Sequence, residues 1–275
     1  MSKQSKIYGT QVNKMRSIVM LLSVAVLIYC CFYVLAAGES EQIVWQRDEK
    51  KVAITFDDGP NPETTTPMLD ALEENYAKAT FFCLGQNAGY YPETVQREYN
   101  LGMEVGTHTY SHVVLTSLSA SALDSEISKS VDAINKAIGV KPSLMRPPYG
   151  AVNKTVLSAV GGYNLCCMNW SLDTEDWKTK NADATYNEVM KAQDGDVVLL
   201  HDIHEYNVDA VKRFVPNLIA EGFQLVTVPE LYEARGETLE AGTVHYRTDP
   251  TTQAGTETAP AASTDSAAES TTASE

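Results

Sequence analysis

An α/β domain with parallel strands is the fold class this sequence predicts, and three observations predict it. Seven short apolar runs alternate with seven helix-length stretches between about Glu39 and Tyr246. The 275 residues are 44% hydrophobic and 21% charged, a mixture that can bury one sizeable core. Ionisable residues also collect directly after five of the apolar runs. In a parallel α/β fold the carboxyl ends of the strands share one face, where sites are built. The alternation itself fits either a barrel or an open sheet.

Taken in order, each strand is a short apolar run and each helix a longer stretch between two runs. Val52 to Phe56 is the first strand, ended by Asp57-Asp58-Gly59, with a helix over Thr66 to Glu74. Ala79 to Leu84 is the second, followed by a helix over Pro92 to Tyr99. Met103 to Thr107 is the third; it runs into His108 and precedes the long helix Ser119 to Ile138. Leu144 to Arg146 is the fourth, ended by Pro147-Pro148-Tyr149-Gly150, with a helix over Lys154 to Val160. Leu165 to Trp170 is the fifth; it leads to Asp173 and Asp176-Trp177 and a helix over Ala182 to Ala192. Val197 to Leu200 is the sixth, ended by His201-Asp202, with a helix over Val208 to Ala220. Gln224 to Val228 and a helix over Glu230 to Arg235 complete the set.

Outside this body the chain changes character. Ser17 to Ala37 holds 21 residues without a charge, about 30 Å as a helix and so one hydrocarbon core. A globular helix of that length would show a polar face. Residues 1–16 carry Lys3, Lys6, Lys14 and Arg16 and no acid, while Glu39 and Glu41 follow the apolar run. The positive-inside rule therefore predicts a cytoplasmic stub (1–16), a membrane anchor (17–37) and an exported body (38–247). Cleavage as a signal peptide, which would leave a secreted protein, is the alternative; the usual apolar region of about 7–15 residues is shorter than this one. Residues 248–275, rich in Thr, Ser, Ala and Glu, hold no aromatic or large aliphatic residue and are expected to be disordered.

The net charge is −15, and the four bases before residue 38 leave −19 for the rest. No basic stripe remains to neutralise phosphates, which excludes nucleic acid as a partner, and the acidic body is not suited to lying on anionic lipid. Cys30 and Cys31 sit in the anchor, and Tyr29 stands where a lipoprotein cleavage site wants a small residue. Cys83, Cys166 and Cys167 are odd in number, and adjacent strand residues point to opposite faces, so buried free thiols are expected despite an oxidising compartment.

Two local patterns bear on chemistry. His108-Thr109-Tyr110-Ser111-His112 puts two imidazoles at i and i+4, on one side of a helical turn, a spacing that suits two ligands of one divalent ion. Asp57-Asp58 ends the first strand and adds two carboxylates. Neither pattern is specific alone, since acids often begin turns. Together they supply two nitrogen ligands, one oxygen ligand and a second carboxylate beside the ion.

With RPPYG (Arg146 to Gly150), DTEDW (Asp173 to Trp177) and LLH (Leu199 to His201), the ordered motifs TFDDG (Thr55 to Gly59) and HTYSH (His108 to His112) resemble the polysaccharide deacetylases, carbohydrate esterase family 4 or the chitooligosaccharide deacetylase homology domain. The resemblance is strongest to the bacterial peptidoglycan N-acetylglucosamine deacetylases. It implies a distorted (β/α) barrel of about seven parallel strands and metal-dependent removal of acetyl groups from N-acetylated glycans. By position it implies that Asp58, His108 and His112 hold the metal and that Asp57 is the general base, oriented by Arg146. It further implies His201 as the general acid supported by Asp176, the Tyr149 backbone N–H at the oxyanion, and Trp177 and Leu199 as walls of the acetyl pocket. The implied cofactor is one divalent ion, with zinc the default for this ligand set and cobalt, nickel, manganese or iron able to serve. The implied partner is an acetylated glycan, peptidoglycan or chitin-like, with xylan also open; no obligate protein partner is implied. A catalytically silent glycan-binding module that keeps the fold is the alternative from another class, disfavoured because the acid, the base and all three ligands are present.

Physical chemistry agrees with those roles. Three protein ligands leave positions for water and for the substrate carbonyl. A base that is also a tight ligand is a poor base, hence two adjacent carboxylates. Arg146 is expected to lower the pKa of Asp57, and the carboxylate beside His201 to hold its tautomer and raise its pKa. The sequence departs from the family at Thr107, at Val113 in place of a proline, and at the three cysteines, which stand where aliphatic residues are usual. If Cys166 or Cys167 faced the interior near the metal, oxidation would affect activity. His204, His245, Trp45, Trp170, Tyr90 and Tyr91 are expected to be solvent-facing, packing or pocket-wall residues.

Overall fold

The computed structural model describes residues 49–248. The expected stub and membrane anchor, Trp45 and the tail from residue 249 lie outside the described residues. Among the described residues no helix is long and apolar enough to cross a membrane. Thr248, at the expected start of the tail, is buried and its N–H donates to the Gly195 carbonyl at 3.1 Å.

In chain order the elements are β1 (Lys50–Asp57), α1 (Pro62–Glu74), β2 (Thr80–Cys83), α2 (Gly85–Tyr90), α3 (Pro92–Asn100), β3 (Glu104–Thr107), α4 (Ala120–Ile138), β4 (Leu144–Met145) and α5 (Lys154–Gly162). They continue as β5 (Cys166–Met168), β6 (Leu172–Asp173), α6 (Asp176–Thr179), α7 (Ala182–Val189), β7 (Val197–His201), α8 (Glu205–Ala220), β8 (Phe223–Leu225), α9 (Val228–Arg235) and β9 (Val244–His245). Every strand pair is parallel, in the order β6-β7-β1-β2-β3-β4-β5-β9, with β8 pairing the start of β1. The sheet curls into a half-barrel, and no pairing closes β6 onto β9 among the described residues. The expected α/β class is present, while the expected barrel is an open, curled sheet.

β1 is the axis of the sheet. All its residues after Lys50 are buried, as a strand covered on both faces must be. Helices pack their apolar stripes over it. In α4 the buried positions Leu123, Ile127, Val131 and Ile134 recur every three or four residues. Its ends follow capping chemistry: the Ser119 hydroxyl accepts from Ala122 N–H, and Gly139 closes the helix at φ 76°, where a Cβ would be strained. α9 begins with a reciprocal capping box between Thr227 and Glu230.

Among the described residues nine strands replace the expected seven. β6 and β9 are two residues each, and each exists only because a neighbour pairs with it: Leu172 and Asp173 with Val198 and Leu199, and Val244 and His245 with Cys167 and Met168. Such short strands leave no periodic signal in sequence. The seventh expected strand ends early, because Thr227 caps α9.

Candidate active site

The chain reaches the site first at the end of β1. Asp57 pairs with Phe82 of β2 and His201 of β7, and is buried. The next residue, Asp58, takes φ 77°, which turns the chain sharply and sends two adjacent carboxylates to different surroundings. Two other segments, residues 84–87 and Asp202, hold this turn. Asn87 Nδ2 donates to the Asp58 carbonyl at 2.8 Å, and Leu84 N–H donates to the Gly59 carbonyl at 2.9 Å. The Asp202 carboxylate lies so close to Gly59 that any Cβ there would collide with it, so only glycine fits. Asp202 is itself fixed by hydroxyl donors, Thr65 Oγ1 to Oδ2 and Thr64 Oγ1 to its carbonyl, both at 2.5 Å.

His108 and His112 do meet, but not on a helical turn. Residues 108–112 form an irregular loop after β3, with Thr109 at φ 70° and His112 at φ 59°. Non-local hydrogen bonds impose this path, which is why the helical spacing misled. Glu126 of α4 accepts from Tyr110 N–H (3.1 Å), Ser111 N–H (2.9 Å) and Ser111 Oγ (2.8 Å). Gly85 and Gln86 donate to the Thr109 and Tyr110 carbonyls. The two imidazole centroids end 5.0 Å apart.

Asp58, His108 and His112 each offer a ligand atom, and the three atoms lie within 4.8 Å of one another. His108 Nδ1 is 2.7 Å from the Arg146 carbonyl, which can only accept, so Nδ1 carries the proton and Nε2 presents a lone pair. Burial holds the pKa of His108 down to about 3, leaving the ring neutral at neutral pH. His108 Nε2 and His112 Nε2 stand 3.6 and 3.3 Å from Asp58 Oδ1. That buried oxygen has no hydrogen-bond partner. Ligand bonds of about 2.0–2.2 Å in a tetrahedral site put neighbouring ligand atoms about 3.3–3.6 Å apart. The donor set and its two Asp58–His spacings therefore fit a divalent metal ion.

Arg146, from the end of β4, is completely buried, which excludes a surface ion pair. Its guanidinium donates to Asp57 Oδ1 (2.9 Å), Thr55 Oγ1 (2.6 Å) and the Met168 and Asn169 carbonyls (2.9 Å each). It also stacks 4.2 Å from the Phe82 ring. The net shift at Asp57 corrects the expectation from sequence: burial raises its pKa by more than Arg146 lowers it. Arg146 acts in the expected direction, but its pull is smaller than the cost of burying the charge.

Beside Asp57, at the end of β7, stands a carboxylate–imidazole pair. Asp176, at the start of α6, accepts from His201 Nδ1 at 2.9 Å through Oδ1 and from His201 N–H at 2.9 Å through Oδ2. Trp177 N–H adds a bond to Oδ1 and Asn207 Nδ2 one to Oδ2. Burial disfavours the imidazolium, but the bond to Asp176, its charge and those of Asp57 and Asp58 outweigh this and raise His201 to about 9. Asp176 lies below its ordinary value, because the bonds and charge from His201 and the Asn207 amide overcome its burial.

A cavity of about 450 Å³ joins these groups. Asp57, Asp58, His108, His112, Tyr149, Trp177, Leu199 and His201 line it, while Arg146 and Asp176 stand behind Asp57 and His201. Tyr149 is held at φ 60° and its ring packs edge-on 5.1 Å from His112. Trp170 and Asp173 also line the cavity. Residues that no motif marked support the site: Asn87, Glu126, Thr185 and Asn207. The motifs reveal the groups facing the cavity, whereas these act from helices distant in sequence.

Cys83, Cys166 and Cys167 are free and buried, as expected. Cys167 packs among Leu115, Met145 and Val160 and does not line the cavity. Burial lifts Cys166 to about 11 and Cys167 to about 12, so both remain thiols. His204 stacks on Tyr206 at 4.8 Å, and His245 Nε2 lies 2.8 Å from Thr243 Oγ1.

A family model for polysaccharide deacetylase matches residues 46–166. Over 189 residues the chain is 42% identical to the peptidoglycan-N-acetylmuramic acid deacetylase PdaC of Bacillus subtilis, covering 68% of this chain and 40% of that protein. Over 201 residues it is 40% identical to the peptidoglycan-N-acetylglucosamine deacetylase PgdA of Listeria monocytogenes, covering 73% and 42%. The chain thus spans about two fifths of the length of these curated relatives. Among solved structures, that of PdaC from Bacillus subtilis superimposes with a TM-score of 0.67 at 41% identity, covering 70% of this chain and 94% of that one. Motif order, site geometry and these similarities agree: the chain belongs to the polysaccharide deacetylase family, carbohydrate esterase family 4.

Proposed function

We propose that this protein is a metal-dependent deacetylase of cell-wall glycan that hydrolyses the acetamide of N-acetylglucosamine in peptidoglycan. The observation that carries this reading is the convergence on one cavity of two differently tuned groups, Asp57 backed by Arg146 and His201 backed by Asp176, with Asp58, His108 and His112. The family relatives that name peptidoglycan as substrate support the glycan class. One relative acts on N-acetylmuramic acid and the other on N-acetylglucosamine, so the sugar is part of the proposal.

Asp58, His108 and His112 would hold one divalent ion, zinc in this reading. When bound, the ion supplies Lewis acidity toward water and toward the acetyl carbonyl. Asp57, with its pKa raised by burial, takes a proton from the attacking water, and Arg146 keeps its carboxylate aimed. The Tyr149 backbone N–H donates to the oxygen on which charge develops. Leu199 and Trp177 flank the acetyl methyl and exclude water. His201, with Nδ1 bonded to Asp176, donates its Nε2 proton to the departing amine. Residues 17–37 would tether the body, residues 38–247, outside the membrane with the N-terminus in the cytoplasm, close to the wall polymer.

The test is acetate release from N-acetylglucosamine oligomers and from purified peptidoglycan, with and without chelator. Product analysis separates glucosamine from muramic acid. Loss of acetate release on chelation and recovery with zinc is expected. Metal-loaded protein that frees acetate from no acetylated glycan would sink the reading.

A further inference from the structure

The residue that holds the proton donor in place lies outside every motif. Asn207, in the first turn of α8, is completely buried. Its Nδ2 donates to Asp176 Oδ2 at 2.5 Å and to the His201 carbonyl at 2.8 Å, and its Oδ1 accepts from Thr185 Oγ1 of α7 at 3.3 Å. These partners fix the sense of the amide. Turned over, its oxygen would face two acceptors with no proton between them.

Asp176 therefore accepts four hydrogen bonds, two on each oxygen. Two come from His201 and one from Trp177, its neighbour in sequence. The fourth, from Asn207, is delivered by a group that also bonds the His201 main chain, so it ties the end of β7 to the start of α6. We propose that Asn207 is a positioning residue for proton donation: it clamps the Asp176 carboxylate and the His201 backbone into one unit, keeping Nδ1 on Asp176 and the Nε2 proton toward the leaving nitrogen. The proposal rests on the deacetylase reading above. In the step it serves, the C–N bond breaks with its electron pair going to nitrogen. That nitrogen takes the Nε2 proton, and His201 is left neutral. The proton taken by Asp57 comes separately, from the water whose oxygen ends in acetate. The groups facing His201 are Asp176, Asp57 and Asp58, with the His204 ring centroid 6.3 Å from that of His201; the direct bond from His201 N–H to Asp176 and the bridge through Asn207 together tie α6 to β7.

The test compares two substrates on the full chain in detergent. An N-acetylglucosamine oligomer has an amine leaving group that must be protonated; 4-nitrophenyl acetate has a phenolate that need not be. Asn207→Ala is expected to lower kcat on the amide about 10- to 100-fold with KM nearly unchanged, and to lower kcat on the aryl ester by less than about 3-fold. Thr185→Val, which removes only the hydroxyl that orients the amide, is expected to act in the same direction by about 3-fold and serves if Asn207→Ala folds poorly. In a His201→Ala background, Asn207→Ala should cost no further activity. Equal losses on both substrates, a further loss in the His201→Ala background, or unchanged amide turnover would each overturn the role. Wild-type protein that binds metal yet turns over no acetylated glycan overturns the deacetylase reading, and this role with it.

Discussion

Asp57 and His201 are register partners, side by side at the ends of the adjacent parallel strands β1 and β7. That single register places a carboxylate and an imidazole at one rim of the sheet, and each is then tuned from behind. Arg146 reaches Asp57 from β4, and Asp176 reaches His201 from α6. A one-residue slip of β7 would move His201 to the other face of the sheet.

Replacing Asp57 with asparagine keeps the volume and removes the base. We expect kcat on N-acetylated glycan to fall about 10²- to 10⁴-fold, with metal content unchanged. Steady-state kinetics beside metal analysis of the same sample checks this. An active Asp57→Asn variant would show that the proton goes elsewhere.

Activity should depend on pH through His201. The donor works only when protonated, and its pKa is raised to about 9, so kcat should hold from neutrality to about pH 9 and decline above. The folded-state pKa lies above the unfolded value of 6.5, so the pair's contribution to stability is full below about pH 6.5 and is lost as pH rises through about 9. Melting temperature against pH, in wild type and His201→Ala, should show a decline over that window only in the wild type.

Glu126 holds the loop that carries both histidines through three hydrogen bonds. Glu126→Ala leaves two backbone N–H groups without their acceptor and frees the loop. We expect divalent-metal affinity to fall about 10- to 100-fold, as for other groups that orient ligands. Competitive chelator titration measures it, and wild-type affinity in this variant would contradict the account.

Gly59→Ala forces a methyl group into the Asp202 carboxylate. Overpacking of this kind costs about 1–3 kcal/mol. Denaturant unfolding should show that loss together with weakened metal binding, because the displaced residue follows Asp58 directly. A variant as stable as the wild type would mean that Asp202 can swing aside despite its bonds from Thr64 and Thr65.

Alternating apolar runs were sufficient to identify the α/β class and the parallel strands β1 to β3, because a buried strand such as Val52 to Phe56 carries its pattern locally. Five short motifs likewise contain most of the groups that face the cavity, since chemistry demands particular side chains at strand ends. Tertiary structure alone decided the rest. β6 and β9 have too few residues to carry a period and are defined by their partners. The His108 to His112 segment has helical spacing but follows a loop, because Glu126 and α2 offer its backbone better partners than its own carbonyls do. Arg146 was expected to dominate Asp57, and burial, invisible in sequence, reversed the net shift. Asn207 and Glu126 are single polar residues on ordinary amphipathic helices, and only the packing of those helices brings their side chains to the groups they hold. The sequence by itself determined which groups are available for the chemistry; their distances, protonation and orientation came from contacts between residues far apart in the chain, where burial and hydrogen-bond geometry are set.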